Sequence, residues 1–365
     1  MQDLGAQIDT ILLPLIPRHR PIAIFDFPDH ANVGDSAIWL GEMAFLRTHR
    51  LGPIIWIDTL SRQRHCLPEL PADCLILIHG GGNLGDLWES NQSYREAVIW
   101  RYSGHTIIQF PQSVLFQSAS SEQEWIRVCR SHSDLHLLVR DRESQARCGH
   151  LNGTGLHLCP DMALYLGSLP RPCEPSTELL YLLRSDKEKA GPDAPPTKPH
   201  PSVSQRVQDW MDEPESRLQQ ELHSLRGLQE RIKQPGSRSH RIRNGLLAAS
   251  KPLGLSHLGW DPLTLFLMMR QRRYTQVAEE RVLRGCRLLS QGKVVVTDRL
   301  HAHLLCVMMG IPHIYLDNSY GKISSFSRTW ETMGPDARPS SNLAAASVEA
   351  HHLLEGMETV VAQPV

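Results

Sequence analysis

Val294-Val295-Val296-Thr297-Asp298-Arg299-Leu300-His301-Ala302-His303 decides how the chain is read. Three consecutive β-branched residues predict a buried strand. The apolar run from Leu300 to Met309 predicts a helix, Gly310 its end, and Ile311 to Leu316 the next strand. An Asp, an Arg and a His therefore fall where the C-terminal end of a strand meets the N-terminal end of a helix. In an open α/β sheet that crevice is where ligands bind. The helix start offers free N–H groups and partial positive charge. Arg299 adds a fork of donors suited to carboxylate or phosphate, and His301 a titratable imidazole. The competing local expectation is structural, with Asp298 capping the helix and Arg299 pairing with it on the surface.

The same strand–loop–helix unit recurs upstream. Ile22 to Phe27 predicts a strand, followed by the polar loop Pro28 to Asp35 and an apolar helical periodicity from residue 37, with Asp35 as its cap. A second strand is expected at Pro53 to Ile57. Cys74 to Ile78 predicts a third, followed by His79-Gly80-Gly81-Gly82-Asn83-Leu84-Gly85-Asp86 and a helix over 88–102. The glycines satisfy G-x-G-x-x-G. The next strand, 106–109, is expected to be closed by Phe110-Pro111, and it ends in Gln109 where a dinucleotide site would place an acid. No G-x-S-x-G follows, so an esterase nucleophile is excluded. What remains is a loop whose backbone can approach a ligand closely. Further units give a helix over 121–131 and strands at 135–139 and 155–159. The charged Arg140 to Glu143 cluster reads as an ion-pair network at a domain edge.

Repeats of this kind predict an α/β fold with parallel sheets. At 365 residues the chain is long enough for two domains. A net charge of −1 argues against a nucleic-acid partner. Eight cysteines without C-x-x-C spacing suit reduced thiols packed as small hydrophobes. No metal-ligand spacing stands out, and none is expected. The N-terminus does not have the order of a signal peptide, and no apolar run is long enough for a span.

A second series starts at Glu178 to Leu183, with Arg184-Ser185-Asp186 at the strand end. Lys187 to Pro201, rich in Pro, Lys and Asp, reads as a disordered excursion. From Arg231 to Arg273 there are nine Lys and Arg and one acidic residue. That basic, partly apolar stretch is compatible with an anionic membrane face, and more readily with a core helix on solvated basic flanks. After Leu316 come Asp317 to Lys322, another strand-end loop, and two closing helices. The domains expected are 1–173, on the acceptor side, and 174–335, on the donor side, with a polar insertion at about 186–241. A helical tail follows at 336–365.

Five pieces in order, Asn32-Val33-Gly34-Asp35-Ser36-Ala37-Ile38, Gly80-Gly81-Gly82-Asn83, Arg140-Asp141-Arg142-Glu143-Ser144, Pro160-Asp161 and Asp298-Arg299-Leu300-His301-Ala302, resemble the polysaccharide pyruvyl transferases. The resemblance implies two Rossmann-like halves in the B-type glycosyltransferase arrangement, with the active site in the cleft between them. It implies transfer of the pyruvyl group of phosphoenolpyruvate to a sugar as a ketal, with no further cofactor. By the same resemblance Arg299, His301 and Arg184 belong to the donor site and Asp86 is the acidic residue after the glycine loop.

Ketal formation needs cations for the donor's carboxylate and phosphate, an acid for its methylene and a base for the sugar hydroxyls. Arg184, Arg299 and Lys322 are the expected cations, with Asp298 beside them. His301 is the expected acid and Asp86 the base. Asn32, Asp35, Gly81, Gly82 and Asn83 are expected to contact the acceptor or shape the loop. The expected partners are phosphoenolpyruvate and a sugar acceptor, in the form of a lipid-linked oligosaccharide. The expected location is cytoplasmic, peripheral at the inner membrane face. Two other functions share these features. One is a nucleotide-sugar glycosyltransferase, which would need an acidic ribose contact such as Glu331. The other is a non-catalytic subunit of a polysaccharide-assembly complex.

Overall fold

A computed structural model describes residues 4–60, 67–151, 155–189, 203–214, 216–233, 262–319, 321–330 and 336–361, with a few single positions between 236 and 245. Two parallel sheets organise them. The first takes β1 (Ile22–Phe27), β2 (Ile54–Thr59), β3 (Leu75–Ile78), β4 (Gly81–Gly85), β5 (Ile107–Leu115), β6 (Leu135–Val139) and β7 (Gly155–Leu158). Its order is β2-β1-β3-β5-β6-β7, with β4 also beside β5. The second takes β8 (Thr177–Leu182), β9 (Gln205–Gln208), β10 (Gly292–Thr297), β11 (His313–Leu316) and β12 (Ala337–Ser340), ordered β12-β11-β10-β8-β9. Counted within each half, the second sheet follows the doubly wound order 2-1-3-4-5, and the first starts the same way, 2-1-3, before continuing through β5, β6 and β7. The expected pair of Rossmann-like domains is present. Each sheet reverses its winding beside its first strand, so the crevices fall between β1 and β3 and between β8 and β10. The loops singled out in the sequence leave those strands.

The helices are α1 (Leu4–Leu12), α2 (Val33–Thr48), α3 (Glu89–Arg101), α4 (Ala119–Ser131), α5 (Arg142–Cys148), α6 (Arg217–Lys233), α7 (Pro262–Ser290), α8 (Leu300–Met309), α9 (Lys322–Trp330) and α10 (Leu343–Val361). The halves share one core. Trp39 of α2, Tyr274 and Val277 of α7 and Leu300 of α8 belong to one apolar cluster, and the Phe27 and Tyr274 rings lie 4.1 Å apart. Arg284 of α7 adds a polar tie to the Ala31 carbonyl at 2.8 Å.

Four local expectations change. The strand at 106–109 does not stop at Pro111 but runs on to Leu115. β3 pairs with it up to Gln109 and β4 from Gln112, so Pro111 sits at the handover, where its missing N–H costs no ladder bond. The glycine segment is not a loop throughout, because Gly81–Gly85 forms β4. The cap of α2 is Asn32, whose Oδ1 accepts from Gly34 N at 3.2 Å, and Asp35 lies inside the first turn. The helical tail expected at 336–365 begins with a strand. Ala337–Ser340 is an edge strand of the second sheet, and Leu343, Ala346, Ala350 and Leu354 of α10 pack in that sheet's core. The polar insertion also supplies a strand, β9, and Trp210, which is buried. Gly310 ends α8 in the left-handed region as expected, at φ 65°.

Among the described residues no helix is long and apolar enough to cross a membrane. Most of the basic stretch Arg231 to Arg273 lies outside them.

Candidate active site

The two crevices face each other, and charged groups of both halves meet between them. On the second sheet, Arg184 follows β8 and Arg299 follows β10. Arg184 Nε lies 2.9 Å from Asp186 Oδ1 and its Nη1 2.9 Å from Glu188 Oε2. Arg299 Nη2 donates to both oxygens of Asp209 at 2.7 Å, and its Nη1 lies 3.7 Å from Asp186. Lys322, at the start of α9, lies 3.4 Å from Glu188 Oε2 and donates to the Gly82 carbonyl of the first half at 3.4 Å. Asp186 therefore links the two arginines, and Glu188 links Arg184 to Lys322. Burial alone would raise Glu188, but Lys322 and Arg184 outweigh it and hold the carboxyl below its ordinary range. Arg299 also lies over the Trp210 ring, 5.5 Å from its centroid.

The first half supplies the rest. Arg140, at the end of β6, is 0% exposed and donates from Nη1 to Asp161 Oδ2 at 2.5 Å and from Nε to Ser113 Oγ at 3.0 Å. Its Nη2 is buried with no hydrogen-bond partner among the described residues. Asp161 Oδ2 also meets His301 Nε2, at 3.3 Å. Burial would push Asp161 up, but His301 and Arg140 hold it well below the usual carboxylate range. Two glycines make these approaches possible. A Cβ on Gly34 would overlap the His301 ring, and a Cβ on Gly82 would overlap Lys322 Nζ and press on Arg140 Nη2. Glu42 fixes the strand-end backbone from below, accepting from Gly80 N at 2.9 Å while its other oxygen meets His79 Nδ1 at 2.9 Å.

The expected residues divide accordingly. Arg184, Arg299, Lys322, His301, Gly82 and the start of α2 come together. Arg299 is not a surface residue, being 2% exposed. Its partner is Asp209, and Asp298 instead accepts from Arg184 N at 2.8 Å. Asp298 does not cap α8, whose N-cap position is Arg299 itself. Burial raises Asp298 above the ordinary carboxylate range. Gly81 faces Asp35 Oδ1. Asp35 is held by Asn32 Nδ2 at 2.8 Å. Asn83 is turned to the sheet, with Oδ1 accepting from Arg95 Nη2 at 2.5 Å and Gln112 Nε2 at 3.1 Å. Asp86 is spent on backbone, accepting from Gln117 N at 2.8 Å and Ser118 N at 2.7 Å where α4 begins.

Arg140 and Asp161 are functional candidates that the sequence left out of the site. The domain-edge network expected for Arg140 is replaced by a buried pair in the cleft. The available signal was their position, directly after predicted strands, as with Asp298. Glu188 and Asp209 were hidden in the polar excursion.

A cavity of about 1760 Å³ opens along the second sheet, lined by Arg184, Asp209, Asp298, Asn318, Arg206 and Asn342 among others, and its lining does not include His301 or Lys322. It takes in Arg184 of the arginine pair, but Arg299 and the residues suited to proton transfer are not part of its lining. No cluster of metal-ligating side chains occurs among the described residues. Glu331, which the nucleotide-sugar alternative needed, lies outside them.

Facing doubly wound halves with cations and an imidazole between them define a two-sheet α/β protein with a site suited to a small anion. The polysaccharide pyruvyl transferase model matches residues 32–320, and the chain belongs to that family. The family places its activity as pyruvyl transfer in polysaccharide biosynthesis. A Schizosaccharomyces pombe protein, pyruvyl transferase 1, is 28% identical over 327 residues, 85% of this chain and 70% of its own length. EpsO of Bacillus subtilis, named as a pyruvyl transferase, is 27% identical over 338 residues, 90% of each chain. The crystal structure of an uncharacterized Klebsiella pneumoniae protein superposes with a TM-score of 0.54 over 94% of this chain and 100% of its own, at 16% identity, which supports the fold alone.

Proposed function

We propose that the protein transfers the pyruvyl group of phosphoenolpyruvate to two hydroxyls of one sugar, releasing phosphate. The observation that carries this reading is the charge chain. Arg184, Arg299 and Lys322 are held together by three carboxylates, those of Asp186, Glu188 and Asp209. A small polyanion can take the place of those carboxylates. Phosphoenolpyruvate supplies a carboxylate and a phosphate on one carbon, which matches paired guanidinium groups with an ammonium nearby.

In the reaction, His301 protonates the methylene, so that positive charge develops at C2. One hydroxyl adds there, the bond from C2 to the phosphate oxygen breaks, and the second hydroxyl closes the ring. The two hydroxyl protons are accounted for by the new methyl group and by phosphate. Asp35 is the better placed base. Burial would raise it, but His30, His301, His79 and Lys322 outweigh burial and keep it ionised, and its Oδ1 faces Gly81. Asp86, with both oxygens on backbone N–H groups, is not positioned for that role.

A lipid-linked oligosaccharide acceptor and attachment to an anionic membrane face complete the reading. Salt-sensitive sedimentation with anionic vesicles tests the attachment, at about 1 kcal/mol per basic residue engaged. Incubation with phosphoenolpyruvate and candidate acceptors tests the chemistry. Phosphate release matched by a pyruvyl mass gain is expected. Turnover of nucleotide sugars with no such gain would favour the glycosyltransferase alternative.

A further inference from the structure

We infer that Asp161, contributed by the first half, positions the His301 imidazole of the second half by accepting its Nε2–H, and leaves Nδ1 as the nitrogen that works on substrate. Asp161 is 0% exposed, and its oxygens are fully engaged. Oδ1 accepts from Ala163 N at 2.9 Å. Oδ2 accepts from Arg140 Nη1 at 2.5 Å and faces His301 Nε2 at 3.3 Å. An ionised carboxylate can only accept, so the nitrogen that faces it carries the hydrogen. The opposite nitrogen, Nδ1, lies against Gly34 in the first turn of α2, where any side chain would displace the ring. Asp35 follows directly in the same turn. Arg140 has a definite part. It pins Asp161 through one N–H and Ser113 through another, so the acceptor cannot rotate away from the ring.

The purely structural alternative is that Asp161 only caps the short helical turn at Met162–Leu166 and neutralises Arg140. The two roles separate experimentally. Asn at position 161 retains a carbonyl oxygen for the Ala163 N–H but cannot give His301 a full negative charge. The dyad also spans the two halves, so the imidazole is oriented only while they are docked.

The tautomer is a property of the free protein, whereas the catalytic part of the inference rests on the pyruvyl-transfer reading. The first experiment is therefore NMR of ligand-free protein labelled with ¹⁵N-histidine, His301 being assigned by its loss in His301→Gln. In its neutral form His301 is expected to show a protonated Nε2 and a bare Nδ1. The opposite tautomer would overturn the inference, whatever the donor proves to be. The second experiment is Asp161→Asn. Phosphoenolpyruvate affinity should stay within about twofold, because Arg184 and Arg299 are untouched, while the saturated rate falls about 10²-fold or more. An unchanged saturated rate in a folded Asp161→Asn protein, or a loss of phosphoenolpyruvate affinity in place of rate, would overturn the positioning role. If that variant does not fold, the NMR measurement on the unsubstituted chain still decides.

Discussion

The two walls of the cleft are built on opposite plans. On the first-sheet side the groups are fixed by backbone and by buried neighbours: Glu42 on Gly80 N, Arg140 on Ser113 and Asp161, Asp161 on Ala163 N. On the second-sheet side Arg184, Arg299 and Lys322 are held chiefly by acidic side chains. Asp186 and Asp209 are partly exposed, so their carboxylates can turn to water when a bound anion takes their guanidinium partners, whereas the fully buried Arg140–Asp161 network cannot be rearranged without unsatisfied groups. The rigid wall is suited to orienting a proton and the exchangeable one to receiving charge.

The largest expected effect falls where the walls meet. His301→Gln should keep donor binding and lose about 10²–10⁴-fold in saturated rate, since Gln keeps a donor but delivers no proton near neutrality. Turnover and donor binding are measured separately. Weakened binding with a near-normal saturated rate would make His301 a phosphate ligand and blur the contrast between the walls.

Gly82→Ala probes the seam more gently. The added Cβ must displace Lys322 Nζ and Arg140 Nη2, both ends of long side chains. The fold should survive, and donor KM should rise about tenfold, equivalent to ~1.4 kcal/mol. An unchanged KM would mean that Lys322 does not contribute to the donor side.

The smallest effect lies away from the chemistry. His303, two residues from His301 on α8, is buried with its Nδ1 2.8 Å from His313 Nε2. Burial holds His303 well below its ordinary value and lowers His313 to about 4. The unfolded chain takes up protons near pH 6.5 while these imidazoles stay neutral, so stability should fall as pH drops from about 6.5 towards 4. The slope is at most about 1.4 kcal/mol per pH unit for each histidine. Denaturant titrations at pH 7 and pH 5 should show a smaller difference for His313→Asn than for the unsubstituted chain. Equal differences would contradict the assignment.

Much of this was legible in the sequence because strand ends announce themselves. Val294 to Val296, Cys74 to Ile78 and Ile22 to Phe27 are apolar runs that stop at polar residues, and those residues reached the cleft. The acceptor side was harder to read. Asp86 looks like a loop acid, but its geometry is that of a turn, and only the positions of Gln117 N and Ser118 N reveal it. Arg140 stands in a charged run that resembles a solvated edge, and its burial depends on Asp161, 21 residues later. Glu188 and Asp209 flank a Pro-rich segment whose composition conceals them. Pairings between distant charges leave no periodicity to read.

The most direct measurement is calorimetric binding of phosphoenolpyruvate to the wild-type protein and to Arg299→Ala. Arg299 is buried, so folding of the variant is checked first by circular dichroism. Loss of a charged partner for a bound anion should cost ~2–5 kcal/mol, with wild-type binding that weakens as salt is raised. Equal affinity in the two proteins, with the variant folded, would contradict the assignment of this charge chain as the donor site.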